Sequence, residues 1–259
     1  MNQGSPPFEP GIYLIATPIG NLEDVTLRAI RLLGAADVLA CEDTRVTRRL
    51  FSRHGLAAPA ALFCCNDHNE RTVAKRLAML AKQGKVVACC SDAGMPGISD
   101  PGFHIVREAI QAGVRLEAIP GPCALAAAVT LSGLAAASFT FFGFPSRRDG
   151  RVAELFRRHG NLRPAMVFYE SPRRLVRLLT LAAANLGGDR QAAVCLELSK
   201  KFERIVRGGL DELLRIFSGG ETRGEAVVVL EGGGRNAGGE AHLDGDEGDG
   251  DGIRGEACG

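Results

Sequence analysis

KVVACCSDAGMPGISDPG, residues 85–102, ties an apolar run to a segment holding three glycines, two prolines and two aspartates. The run KVVACC (85–90) has the length and β-branched content of a buried strand. The segment SDAGMPGISDPG (91–102) packs poorly and buries little, so core formation does not account for it. A helical pattern, PGFHIVREAIQAG (101–113), follows at once, with Pro101 suited to its first turn and Gly113 to its end. In open α/β sheets ligands bind just beyond the carboxyl ends of strands. The fold therefore turns on whether 85–90 is one of several parallel strands.

Its flanks say that it is. Upstream, GIYLIATP (11–18) reads as a buried strand, TLRAIRLLG (26–34) as a helix stopped by glycine and DVLACE (37–42) as a second strand. A helix over 44–54, a short strand ALFCC (61–65) and a helix over 70–83 complete the approach. Strands alternating with helices imply a mostly parallel sheet with helices on its faces. Downstream, VRLEAIPGPCA (114–124) gives a strand and a Pro/Gly break that reads as an interdomain hinge. A second α/β series follows, and its neighbouring strands near 191–196 and 203–207, joined by a short link, suggest a hairpin and so a mixed sheet. The expected division is an N-terminal α/β domain over 11–120, a C-terminal α/β domain over 121–232, and a disordered Gly/Asp-rich tail over 233–259.

With 259 residues and 46% hydrophobic content, the chain can bury a substantial core. Its 31 basic and 30 acidic residues nearly cancel, so any nucleic-acid surface has to be local. One place for it is Arg147, Arg148, Arg151, Arg157 and Arg158, a set that reads equally well as a solvated helix face. The eight cysteines include no C-x-x-C, and most sit in or beside apolar runs, which favours small buried hydrophobes in a reducing cytosol over zinc. The N-terminus lacks a signal-peptide pattern, and no apolar run reaches the length of a membrane span. A cytoplasmic protein with no membrane partner is expected. In the tail, DGDEGDGDG does not complete a calcium-loop pattern, and no metal is expected.

No G-x-x-x-x-G-K-[ST] and no G-x-S-x-G is present, and TPIGNLED has one glycine where a dinucleotide site needs G-x-G-x-x-G. What remains are loops at strand ends: TPIGN (17–21), CEDTR (41–45), SDAGMPGISDPG (91–102), PGPCA (120–124) and FYESPRR (168–174). Glycine lets backbone approach a ligand and proline fixes loop shape beforehand, so these loops look preorganised for a small molecule.

Taken in order, TPIGNLEDVTLRAI, ACEDTR, HNE (68–70), SDAGMPGISDPG, IPGPCA, FYESPRR and ELSKKFE (197–203) closely resemble the tetrapyrrole methylase-like family, over residues 11 to about 232. The nearest resemblance is to its members that modify ribosomal RNA. It implies two α/β domains of the tetrapyrrole methylase type, S-adenosylmethionine in the cleft between them, and a homodimer. The activity implied is 2'-O-methylation of a decoding-centre cytidine in the 16S rRNA of the small ribosomal subunit. Carried over by position, the cofactor contacts are Pro18, Ile19, Asp92, Ala93, Met95, Cys123, Ala124, Tyr169, Leu196 and Ala226. Recognition through main-chain groups is expected, with the 91–102 loop presenting its peptide groups free of large side chains.

Methyl transfer to a ribose hydroxyl needs oxygen, methyl and sulfur in line, and a group that takes the hydroxyl proton or stabilises the alkoxide. Candidates are His68, Glu170, and Lys200 or Lys201. Each has a structural alternative: Asp67 to Glu70 as a helix cap, Glu170 paired with Arg173 or Arg174, the lysines solvated. Asp43 and Arg45 suit loop or phosphate positioning better than proton transfer. Two departures from the family pattern stand out. Met95 occupies a place where threonine is usual, and the Gly/Asp-rich tail replaces a helical extension common in close relatives. The alternatives are methylation of a tetrapyrrole or other small acceptor, and a non-catalytic cofactor-binding module in ribosome assembly.

Overall fold

The computed structural model describes residues 8–220 and 222–233. The expected disordered tail and the calcium-loop-like stretch, from residue 234 onward, and Cys258 lie outside the described residues.

The first sheet holds β1 (Gly11–Ile15), β2 (Val38–Cys41), β3 (Ala61–Cys64), β4 (Val86–Cys90) and β5 (Leu116–Ile119) in the order β3-β2-β4-β1-β5. Every pairing in it is parallel. On one face lie α1 (Leu27–Ala35) and α2 (Thr44–Arg53), packing Leu32, Leu33, Leu50 and Phe51 on Tyr13, Ile15, Leu39 and Ala88. On the other lie α3 (Glu70–Lys82) and α4 (Phe103–Ala112), packing Leu77, Ile105 and Ala109 on Ile12, Leu14, Val38 and Val87. Successive strand residues point to opposite faces, and here both faces are covered. That double burial is why GIYLI and VVACC are unbroken apolar runs rather than alternating ones.

β1 and β4 are neighbours, yet the chain leaves β1 toward β2 on one side and leaves β4 toward β5 on the other. The loops beyond these two strands therefore open a crevice at the switch point of the sheet.

The second sheet contains β6 (Phe139–Phe141), β7 (Ala165–Glu170), β8 (Gln191–Leu196), β9 (Arg204–Gly209) and β10 (Ala226–Leu230) in the order β6-β7-β10-β8-β9. Only β6 and β7 run parallel; β7–β10, β10–β8 and the hairpin β8–β9 are antiparallel, so the sheet is mixed. One face carries α6 (Asp149–His159), α7 (Pro172–Leu186) and α8 (Leu210–Ser218), with Phe156, Leu175, Leu179 and Leu213 on Met166, Phe168, Val194 and Val228. The opposite face packs Val167, Ala193, Cys195 and Val229 against Ala128 of α5 (Ala124–Ser132), the helix that follows the Pro/Gly break.

Three details differ from the sequence reading. β1 ends at Ile15 because Thr17 leaves the ladder to make an isolated bridge with Gly94. α4 begins at Phe103 with Gly102 as its cap, so Pro101 stands before the first turn, its carbonyl accepting from Gly97 N at 3.2 Å. Among the described cysteines, Cys41, Cys65, Cys89, Cys90 and Cys195 are buried as expected, whereas Cys64 is exposed on the edge strand β3.

Candidate active site

The loops after β1, β4, β5 and β7, and the start of β10, surround one cleft of about 330 Å³. That size lies within the ~300–1,000 Å³ usual for small-molecule and cofactor sites. Its floor and walls are Ile19, Ala93 to Met95, Ile98 to Asp100, Cys123 and Ala124 from one side, and Tyr169 to Ser171, Leu198 and Gly224 to Val227 from the other. Phe144 stands at the cleft too, its ring 5.7 Å from that of Tyr169 in an edge-on arrangement.

The 91–102 loop is fixed on all sides by short-range chemistry. Thr17 and Gly94 exchange backbone hydrogen bonds of 2.9 and 3.0 Å, joining the loops of β1 and β4. The Thr17 hydroxyl donates to Ser91 O, and the Ser91 hydroxyl to Gly94 O, both at 3.1 Å. Gly94 has φ +85, the left-handed region where glycine is at ease, and a Cβ there would sit 3.5 Å from Ile19 and 3.7 Å from Pro122 O. A Cβ on Gly102 would fall 2.6 Å from Gly97 N, so the two ends of the turn close only because 102 is glycine, while Gly97 holds φ +84. Ser99, with φ 62, holds a conformation costly for a residue with a side chain, directly before Asp100.

Carboxylates complete the scaffold. Glu70, buried, accepts from Gly102 N and His104 N at 2.8 Å and so caps α4; the cap that the sequence suggested for α3 serves another helix. Asp92 Oδ1 accepts from Asp43 N at 2.8 Å, tying this loop to the one after β2. Asp43 in turn caps α2 through Arg45 N at 2.7 Å, and the Arg45 guanidinium holds its carboxyl down at about 2. Asp43 thus joins the start of α2 to the loop after β4, with the exposed Arg45 as its ion-pair partner.

Of the sequence-assigned cofactor residues, Ile19, Ala93, Met95, Cys123, Ala124, Tyr169 and Ala226 line the cleft. Pro18 is buried beside Ile19, Asp92 is engaged with Asp43, and Leu196 packs into the core under α6–α8. Tyr169 joins two walls: its phenol oxygen accepts from Leu125 N at 3.1 Å, and burial pushes its hydroxyl up to about 12.

The assigned catalytic residues are not brought together. His68 is exposed on the turn between β3 and α3. Lys200 pairs with Glu197 and Glu225, each at 2.9 Å, at the rim, and Lys201 lies over the exposed Phe202 ring. Glu170 lines the cleft, but its side chain shares the face of Met166 and Phe168 and is 0% exposed. Its Oε1 pairs with Arg174 at 2.6 Å and accepts from Ser171 N at 2.8 Å, while Oε2 is buried without a partner. Of the two arginines considered, Arg174 makes the pair.

Asp100, Phe144, Leu198 and Glu225 line the cleft and were not singled out in the sequence. Asp100 had a signal there: the loop contains S-D twice, at 91–92 and 99–100, and only packing tells them apart.

No lysine, arginine or histidine lines the cleft among the described residues, and its surface is mainly apolar and main-chain. Such a lining suits a ligand that combines an apolar or aromatic body with positive charge. The arginines 147, 148, 151, 157 and 158 are exposed on and before α6, with Arg157 paired to Glu154 at 2.8 Å. No group of three or more metal-ligating side chains is present, and no helix is long and apolar enough to cross a membrane, among the described residues.

The family described as Tetrapyrrole (Corrin/Porphyrin) Methylases matches residues 11–214. Curated relatives include the ribosomal RNA small subunit methyltransferase I of Mesorhizobium japonicum, 43% identical over 86% of this chain and 76% of that protein. The protein of the same name in Pseudomonas aeruginosa is 42% identical, over 85% of this chain and 78% of its own. Among solved structures, a cobalt precorrin-4 methyltransferase superposes with a TM-score of 0.62 at 17% identity, covering 85% of this chain and 94% of that one. Diphthine synthase gives 0.63 at 16% identity, covering 85% and 89%. At such identities these two likenesses speak for the fold alone.

Proposed function

The chain belongs to the tetrapyrrole methylase family, and we propose that it is an S-adenosylmethionine-dependent methyltransferase acting on the 2'-hydroxyl of a decoding-centre cytidine in 16S rRNA of the small ribosomal subunit. The observation that carries this reading is the 40–43% identity to curated ribosomal RNA small subunit methyltransferases over about 85% of the chain. The solved cobalt precorrin-4 and uroporphyrin-III C-methyltransferases share the fold at 17–23% identity, too low to transfer their acceptor to this chain.

The site fits S-adenosylmethionine. When bound, that cofactor supplies a methyl group activated by a positively charged sulfur. The cleft has the size for it, a cradle at Gly94 that a side chain would fill, no competing cation, and carboxylates on its walls. In this proposal Ile19, Ala93, Met95, Cys123, Ala124 and Ala226 hold it chiefly through peptide groups and small apolar contacts. Pro18 and Asp92 support the same loops from behind, and Leu196 fixes Ala226 by direct strand pairing. Tyr169 orients the start of α5, and Phe144, exposed at the cleft, covers it from water. Glu170 and Lys200 act as positioning residues through their ion pairs. The 11–120 and 121–232 division is part of the proposal, supported by the two separate sheets. A homodimer and a cytoplasmic location go with a ribosomal substrate and with the family resemblance.

Small subunits from a strain lacking the modification, incubated with the protein and labelled S-adenosylmethionine, should acquire label in a 2'-O-methylcytidine identified by mass spectrometry. Label confined to a tetrapyrrole acceptor, or donor binding with no product at all, would remove the assignment.

A further inference from the structure

Three acidic residues line the cleft: Asp100, Glu170 and Glu225. Glu170 is locked to Arg174 beneath α7, and Glu225 is paired with Lys200 at the rim. Of the two aspartates in the 91–102 loop, Asp92 is spent on the Asp43 amide. Asp100 is left as the cleft carboxylate with no cationic partner among the described residues. The charged groups acting most on it are Glu42, Asp92 and Asp67, all acidic, from beyond β2, β4 and β3, and Tyr169 lines the same cleft. The Ser91 hydroxyl lies beside it as a neutral hydrogen-bonding neighbour.

Its mounting is rigid. Ser99 before it is held in the left-handed region, and the Pro101 carbonyl after it is bonded to Gly97 N. Glu70 then pins Gly102, so the carboxylate sits between two fixed points. A proton acceptor needs such fixity, and Glu170 and Lys200 instead direct their charges into ion pairs.

We propose that Asp100 is the general base of the methyl transfer, taking the proton of the acceptor hydroxyl. The assignment rests on the methyltransferase reading above. In the step, the acceptor O–H bond breaks and its proton passes to the Asp100 carboxylate. The oxygen forms a bond to the methyl carbon as the carbon–sulfur bond breaks, and that electron pair goes to sulfur, converting a sulfonium to a neutral thioether. Burial first, and then the field of Glu42, push the Asp100 carboxyl up to about 7. A carboxylate so placed is a stronger base than an ordinary aspartate while still largely ionised above neutrality.

The test compares wild type with Asp100→Asn and Asp100→Glu on small ribosomal subunits, with calorimetry of S-adenosylmethionine binding and carbon NMR of labelled aspartate carboxyls in the free protein. Expected for Asp100→Asn are a kcat lower by ~10²–10⁴, donor affinity within about threefold, and loss of the wild-type acidic limb in the pH–rate profile. One carboxyl signal titrating near neutrality should vanish in that variant, and Asp100→Glu should recover part of the rate with a displaced limb. The assignment is overturned if Asp100→Asn keeps its kcat and its limb, if lost donor affinity accounts for all the lost rate, or if the Asp100 signal titrates as an ordinary aspartate. Wild-type protein that binds the donor but methylates no subunit would instead overturn the function proposed above. The carboxyl titration needs neither donor nor acceptor, so it separates the two failures.

Discussion

Glu70, the first residue of α3, caps the helix that starts after Gly102: one carboxylate oxygen receives Gly102 N and His104 N, each at 2.8 Å. The two residues lie 32 positions apart, and the bond fixes where the cleft loop ends. Glu70→Ala removes the acceptor from two buried or half-buried amides, which should lower stability by about 1–3 kcal/mol. Glu70→Gln keeps one acceptor oxygen and should recover part of it. Urea unfolding measures the stability, and calorimetry should show weaker S-adenosylmethionine binding in the alanine variant. Equal donor affinity in both variants would mean that the cap does not shape the cleft.

Tyr169 holds Leu125 N by its phenol oxygen. Tyr169→Phe preserves the ring, which stacks edge-on with Phe141 at 4.8 Å, and deletes only the acceptor. The expected cost is about 1 kcal/mol in unfolding, with a several-fold loss of donor affinity because Cys123 and Ala124 lose their anchor. A loss of stability without any change in binding would confine Tyr169 to the core.

Arg174 neutralises a carboxylate that is otherwise sealed from solvent. Arg174→Ala should therefore destabilise the fold by roughly 3–5 kcal/mol, because it leaves Glu170 buried and unpaired. The double change Glu170→Gln with Arg174→Ala should be milder than Arg174→Ala alone. Chemical denaturation of the three variants checks this; additive losses would show that the pair is not coupled.

Asp100 makes the fold respond to pH in a direction opposite to most carboxylates. Its folded value, about 7, lies above its ordinary 3.8, so between these the native state holds a proton that the unfolded chain has released. Its contribution to stability is present in full below the unfolded value and is lost as pH rises through the folded one. Asp100→Asn, which mimics the protonated form, should raise Tm by a few degrees relative to wild type at pH 8 and change it little at pH 4. Thermal melts across that range decide the matter, and equal Tm at pH 8 would place Asp100 in a well-solvated setting.

Much of the fold was legible because its causes are local. The apolar runs 11–15 and 86–90 are strands buried on both faces, and Gly113 ends α4 with φ 63, as its place after the periodic stretch implied. The hairpin of β8 and β9 followed from two strand patterns with a short link. The loops that form the cleft were legible as well, since glycine and proline at strand ends mark backbone that is not packed into a core.

The roles of individual carboxylates were not legible, because each depends on a partner distant in the chain. Nothing local shows that Glu70 caps α4 instead of serving its own helix. Strand parity and the helix layer turn Glu170 away from the cleft and onto Arg174, and the register of β8 against β10 does the same for Leu196. Asp92 and Asp100 occupy matching S-D pairs; tertiary packing gives the first to an amide beyond β2 and leaves the second facing the cleft among acids. The sequence thus determined where backbone would be free to meet a ligand, through residue types whose conformational limits act at short range. Only the tertiary structure decided which charges meet that ligand, because burial and ion pairing are properties of neighbours that the chain brings together from far apart.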